Sequence, residues 1–167
     1  MSKRVKIIIF SVIGLLVAAV FVFIILENVS NNKYTIVNNT DMNITSLKVV
    51  FEWEEDGTEI STIYEGSLNK GDTKQGHFDT VDFSGDGGEI GVYVTFEGHD
   101  ELECYDGYIL GKFNGKVNLE FYQNQGQYRL KQNASVGLFN NTENTALKNS
   151  EIEFIFDEDG DDWDYVE

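Results

Sequence analysis

The chain has 167 residues, 41% of them hydrophobic, with 29 acidic against 12 basic side chains and a formal net charge of −17. A surface this negative repels phosphate backbones and anionic headgroups, which excludes nucleic-acid binding and favours cations or basic partners. One cysteine and no proline leave no intramolecular disulfide and no proline-rich wall-spanning or proline-containing sorting segment.

The chain begins with a six-residue basic stub, 1–6, carrying Lys3, Arg4 and Lys6. Residues 7–26 then form twenty consecutive uncharged positions, sixteen of them Ile, Leu, Val or Phe. As a helix rising about 1.5 Å per residue, this run is about 30 Å long and matches the hydrocarbon core of a bilayer. Insertion gains of roughly 0.3–0.6 kcal/mol per apolar residue outweigh the small costs of Ser11 and Gly14. The expectation is one transmembrane helix with its N-terminus in the cytoplasm and everything from Glu27 onward outside, because the basic residues flank the N-terminal side. A cleaved signal peptide has the same order of regions. Its apolar stretch is shorter, however, and ends in a small-x-small site, whereas Phe23-Ile24-Ile25-Leu26 runs directly into Glu27. The reading is therefore an uncleaved, single-pass signal anchor of the cell membrane. Gly14 and Ala18 stand four apart, a spacing that lets helices approach in lipid and offers a route to a weak homodimer. The plainer reading is chance.

A polar spacer, 27–33, leads into one domain's length of chain, 34–156. Everything after Leu26 holds all 29 acidic and nine basic residues, a net of −20. Period-two alternation recurs: Leu47, Val49, Phe51 and Trp53; Ile90, Val92, Val94 and Phe96; Val117, Leu119 and Phe121; Ile152, Phe154 and Phe156. No 3.6-residue period is sustained, so the domain is expected to be all-β. Strands are predicted over 33–38, 44–55, 58–65, 73–82, 89–97, 102–112, 116–123, 127–139 (as one strand or two) and 151–156. The turns between them are Asp56-Gly57, Asn69 to Asp72, Ser84 to Gly88, Gly98 to Asp100, Asn114-Gly115 and Asn124 to Gly126. Short strands at near-regular spacing point to an antiparallel β-sandwich of immunoglobulin-like architecture, with a small β-barrel as the alternative. The Cys-Trp-Cys core of antibody domains is missing, so the likeness is architectural only.

Two features carry candidate chemistry. Asp82-x-Ser84-x-Asp86-Gly87 places oxygen ligands at the first, third and fifth positions of a calcium loop and a glycine at the sixth, but Tyr93 stands where the bidentate Glu belongs. Asp82, Ser84 and Asp86 are thus candidate ligands for weak Ca²⁺ binding, with an ordinary turn as the plainer reading. Glu52-x-Glu54-x-Asp56-Gly57 repeats the spacing, with both glutamates on the expected wet face of a strand. The end of the chain, 157–167, packs seven acidic residues into eleven. Dense like charge predicts a solvated tail whose loss leaves stability nearly unchanged. Trp163 and Tyr165 within it are candidate partner-binding anchors.

No catalytic constellation stands out. His77 and His99 lack a companion at metal-ligand spacing, and no nucleophile elbow or phosphate-binding glycine loop occurs. Cys104 reads as a buried apolar residue, with a nucleophile–base pair to either histidine as the sharper alternative. Five Asn-x-Ser/Thr sequences, at Asn28, Asn38, Asn43, Asn133 and Asn140, read as incidental in an Asn-rich chain. The expected function is non-catalytic: a membrane-anchored, outward-facing acidic binding or scaffold module of the cell envelope. The alternatives are an immunity-type protein that neutralises a cationic exported toxin or peptide, and a calcium-responsive module.

Overall fold

The computed structural model describes residues 3–29, 32–135, 143–144, 150–157 and 160–166. It divides into two units, 1–31 and 32–167.

The first unit contains one helix, α1, Lys3–Val29. Side chains are described for its stretch 9–23, and all of them are exposed, including Phe10, Leu15, Leu16 and Phe21. Among the described residues no helix is long and apolar enough to cross a membrane.

The second unit is built from strands. These are β1 Lys33–Asn39, β2 Ile44–Trp53, β3 Glu59–Leu68, β4 Thr73–His77, β5 Val81–Phe96, β6 Glu101–Phe113, β7 Lys116–Asn124, β8 Gln127–Ser135, β9 Glu143–Asn144, β10 Ser150–Asp157 and β11 Gly160–Tyr165. They form a six-stranded sheet ordered β11-β10-β8-β7-β1-β4 and a five-stranded sheet ordered β3-β2-β5-β6-β9. Hairpins β2–β3, β5–β6, β7–β8 and β10–β11 stay within one sheet, and the remaining connections carry the chain between the two.

The alternation assigns the faces correctly. Val49, Phe51, Val92, Val94 and Phe96 from one sheet and Leu119, Phe121 and Phe154 from the other are all buried in a single core. Only Trp53, expected there too, is half-buried at its margin. Aromatic rings dominate the packing. Phe51 meets Phe78, Phe83 and Phe113 at 5.2–5.8 Å between centroids. Phe96 meets Phe121, Tyr128, Phe154 and Phe156 at 5.3–6.1 Å. Each buried ring of this size contributes about 1.5–3 kcal/mol through its area. Cores of this kind hold a domain without disulfides.

Turn chemistry closes the hairpins. Asn124 pairs with Gln127 across Gln125 and Gly126, whose φ values of 53° and 89° define a two-residue turn with two positive φ angles. Buried Asn38 ties three corners together. Its amide nitrogen donates to the carbonyls of Met42 (2.9 Å) and Leu68 (3.4 Å), and its side-chain oxygen accepts from the backbone and hydroxyl of Thr40.

Four features depart from the sequence expectation. The sheets are not wholly antiparallel: β1 pairs antiparallel with β4 but parallel with β7. Strand 73–82 ends early at His77, because Phe78 turns into the core and the chain crosses to the other sheet. Ser84 to Gly88 is not a turn. Strand β5 runs through it, and the extra residues are absorbed as a bulge, with Phe83 opposite Gly111 and Gly88 opposite Ile109. The acidic stretch after Asp157 is not a free tail, since Gly160–Tyr165 pairs with β10 from Asp157↔Gly160 to Ile152↔Tyr165. The part of the predicted strand 127–139 beyond Ser135 lies outside the described residues.

Candidate functional site

Three places combine polar chemistry with defined geometry. The first is the β10–β11 edge, where Trp163 and Tyr165 lie. Register puts Trp163 opposite Phe154, so its indole is half-buried and packs on the core rather than standing free. Tyr165 is 51% exposed, meets Trp163 edge-on at 5.3 Å, and donates its hydroxyl to the carbonyl of Tyr105 at 2.8 Å. The amide of Val166 bonds inward to Glu151, so alternation turns the amides of Trp163 and Tyr165 outward. Asp162 and Asp164 accept those two amides at 2.8 Å each. Carboxylates on an edge strand of this kind discourage other chains from pairing there.

The neighbouring strands carry a charged clamp. The Arg129 guanidinium donates to Glu151 at 2.8 Å and Glu153 at 2.9 Å, and the hydroxyl of Tyr122 also donates to Glu151. The Tyr122 bond first, and Arg129 after it, hold the Glu151 carboxyl below its usual range. Beside the clamp, Thr35, Val37, Asn118, Glu120, Lys131 and Asn133 line an open groove of about 210 Å³.

The third place was missed in the sequence. Glu52 belongs to the expected wet face of β2, yet it is 0% exposed, and Val50 on the same face is buried as well. The carboxyl lies on the backbone of Gly91 in β5, where a Cβ would stand only 2.0 Å from Oε1. The hydroxyl of Tyr93 donates to Oε2 at 2.9 Å, while buried Oε1 has no hydrogen-bond partner. Tyr105 stacks edge-on with Tyr93 and donates to Glu103 at 2.7 Å. Desolvation raises the Glu52 carboxyl above its ordinary 4.5. The Tyr93 bond opposes this, Glu103 and Glu59 add to it, and Lys48 opposes it. The available signal was Gly91 breaking the pattern of β5 beside Val50, an apolar residue on a polar face.

The calcium candidate fares differently from its motif. Asp82 lies in β5, opposite Lys112 and 3.9 Å from its ammonium, and the residues after it form a bulge in that strand rather than a turn. The side chains of Ser84 and Asp86 lie outside the described residues. Among the described residues no group of three His, Cys, Asp or Glu side chains could hold a metal ion. Cys104 is buried opposite Val92, and burial pushes its thiol up to about 12, far from thiolate chemistry at neutral pH. His99 lies on Phe156 at 3.9 Å, and His77 pairs with Lys33 on the edge of the other sheet.

No family model matches the chain, and no curated protein matches it. Among solved structures, an NMR structure of a protein from Eubacterium rectale is similar at 17% identity, covering 66% of this chain and 94% of that one with a TM-score of 0.36.

Proposed function

We propose that the chain is a single-pass membrane protein that displays an acidic β-sandwich outside the cell membrane and acts there by binding, without catalysis. The observation that carries this reading is the apolar run 7–26 inside a 27-residue helix. That run has the length that the described stretch 9–23 alone lacks. Support comes from the described side chains of that helix, which apart from Ser11 are apolar and are exposed on every side, as for a helix whose solvent is lipid. The 32–167 unit is compact by itself and carries the acidic surface, which suits a cationic partner reached by electrostatic steering. Residues 27–33 then serve as the spacer, and the displayed domain works as an envelope scaffold or as a subunit of a membrane complex.

Extraction tests the anchor directly. The full chain expressed in bacteria is expected in the membrane pellet, retained through alkaline carbonate and released by detergent. Release by carbonate alone, or recovery of a chain beginning after Leu26, would contradict the anchor.

A further inference from the structure

We propose that Glu52 is a proton-operated latch on the outer face of the five-stranded sheet. As a neutral acid it lies on Gly91 beneath Tyr93, and on losing its proton it leaves for solvent, uncovering Gly91 and the adjoining Val50. The argument rests first on space. Gly91 is buried because the Glu52 carboxyl fills the place of its absent side chain, and Val50 pairs with Gly91 in the β2–β5 register. It rests next on bonding. An ionised carboxylate has four lone-pair sites to satisfy, and this seat supplies one donor, Tyr93, leaving Oε1 against Gly91 with none. A neutral carboxyl carries no charge to solvate and tolerates the seat far better.

The surrounding charges act the same way. On β3, Glu59 is the cross-strand partner of Glu52 and is itself held by Lys48 at 2.5 Å, so the Lys48 ammonium is already engaged. On β5, Glu89 is the opposite cross-strand partner, with Tyr93 two strand positions beyond Gly91. On β6, Glu103 faces Tyr93, and Tyr105 faces Gly91. A further negative charge at Glu52 would sit among Glu59, Glu89 and Glu103. Its exit toward solvent relieves both the repulsion and the missing donors. The latch is closed at acid pH and opens as pH rises through a midpoint above the ordinary carboxyl value.

The test is a pH titration of the full chain in detergent micelles, followed by NMR of ¹³C-labelled Glu carboxyls and Val methyls. E52Q identifies the Glu52 signal and keeps an uncharged group of the same size in the seat. The proposal expects a Glu52 midpoint above 4.5, a Val50 methyl shift with the same midpoint, and loss of that methyl shift in E52Q. G91A, which fills the seat and displaces the carboxyl, should abolish the pH-dependent shift of the Val50 methyl. If G91A does not fold, the comparison with E52Q decides. A Val50 shift that persists unchanged in E52Q, a Val50 methyl that ignores the titration, or a Glu52 midpoint at its ordinary value would overturn the latch.

Discussion

Asn38 and Glu52 are both polar, fully buried and set in strands, and their environments make opposite demands. Asn38 is satisfied on every side. Its amide reaches the carbonyls of Met42 and Leu68, and its oxygen takes two bonds from Thr40. Asn38→Ala should therefore destabilise the domain by at least about 1–3 kcal/mol, the cost of leaving one such buried partner unsatisfied, read from denaturant unfolding. The same burial closes the Asn38-x-Thr40 sequence to glycan attachment. Glu52 has one donor and an oxygen with no partner, and desolvation raises its carboxyl. A raised folded-state value means the folded chain holds this proton more tightly than the unfolded one. Its contribution is full below the ordinary 4.5 and is lost as pH rises through the folded value. E52Q should accordingly gain melting temperature relative to the parent as pH rises above 4.5, with the gain levelling off once Glu52 has ionised. An equal difference at every pH would mean that the carboxyl is not shifted. The burial of Asn38 and Glu52 was not legible in the sequence, because residues 38 and 52 look like ordinary polar positions until the opposite strand is known.

Elements were easier to read than their ends. Leu47 to Trp53 (Val50 apart), Ile90 to Phe96 and Val117 to Phe121 alternate, and a one-residue slip would have turned their apolar side chains outward. The errors fall where local chemistry and tertiary pairing disagree. Gly85 and Gly87 have positive φ and read as a turn, but β6 offers a partner on both sides of them, so β5 continues as a bulged strand. Seven acidic residues in the last eleven read as a repelled tail. Pairing with β10 and the packing of Trp163 opposite Phe154 fix Gly160–Tyr165 instead, with Asp162 and Asp164 occupied by backbone amides. Trp163→Ala should consequently cost about 1–3 kcal/mol, less than the roughly 3–5 for a fully buried aromatic. Thermal melts of that variant would check it, and an unchanged melt would return the segment to a solvated tail. The turn expected at the calcium motif fails for a related reason. Its spacing is a property of loops, and Asp82 is in a strand beside Lys112.

At the scale of the whole molecule, the sheet order and the charge divide the work. A closed aromatic core supplies stability without disulfides, which leaves the outer faces free to carry charge and function. The excess of acid lies wholly after Leu26, on the side of the apolar run opposite Lys3, Arg4 and Lys6. Under the proposed function, the basic flank of Lys3, Arg4 and Lys6 would orient a single span with the N-terminus in the cytoplasm. The most direct measurement of the central claim is a topology fusion. A reporter enzyme that folds only outside the cytoplasm, fused after Glu167 in the full chain, should be active, and a reporter that works only in the cytoplasm should be silent at the same position. The reverse pair of results would contradict an outward-facing domain.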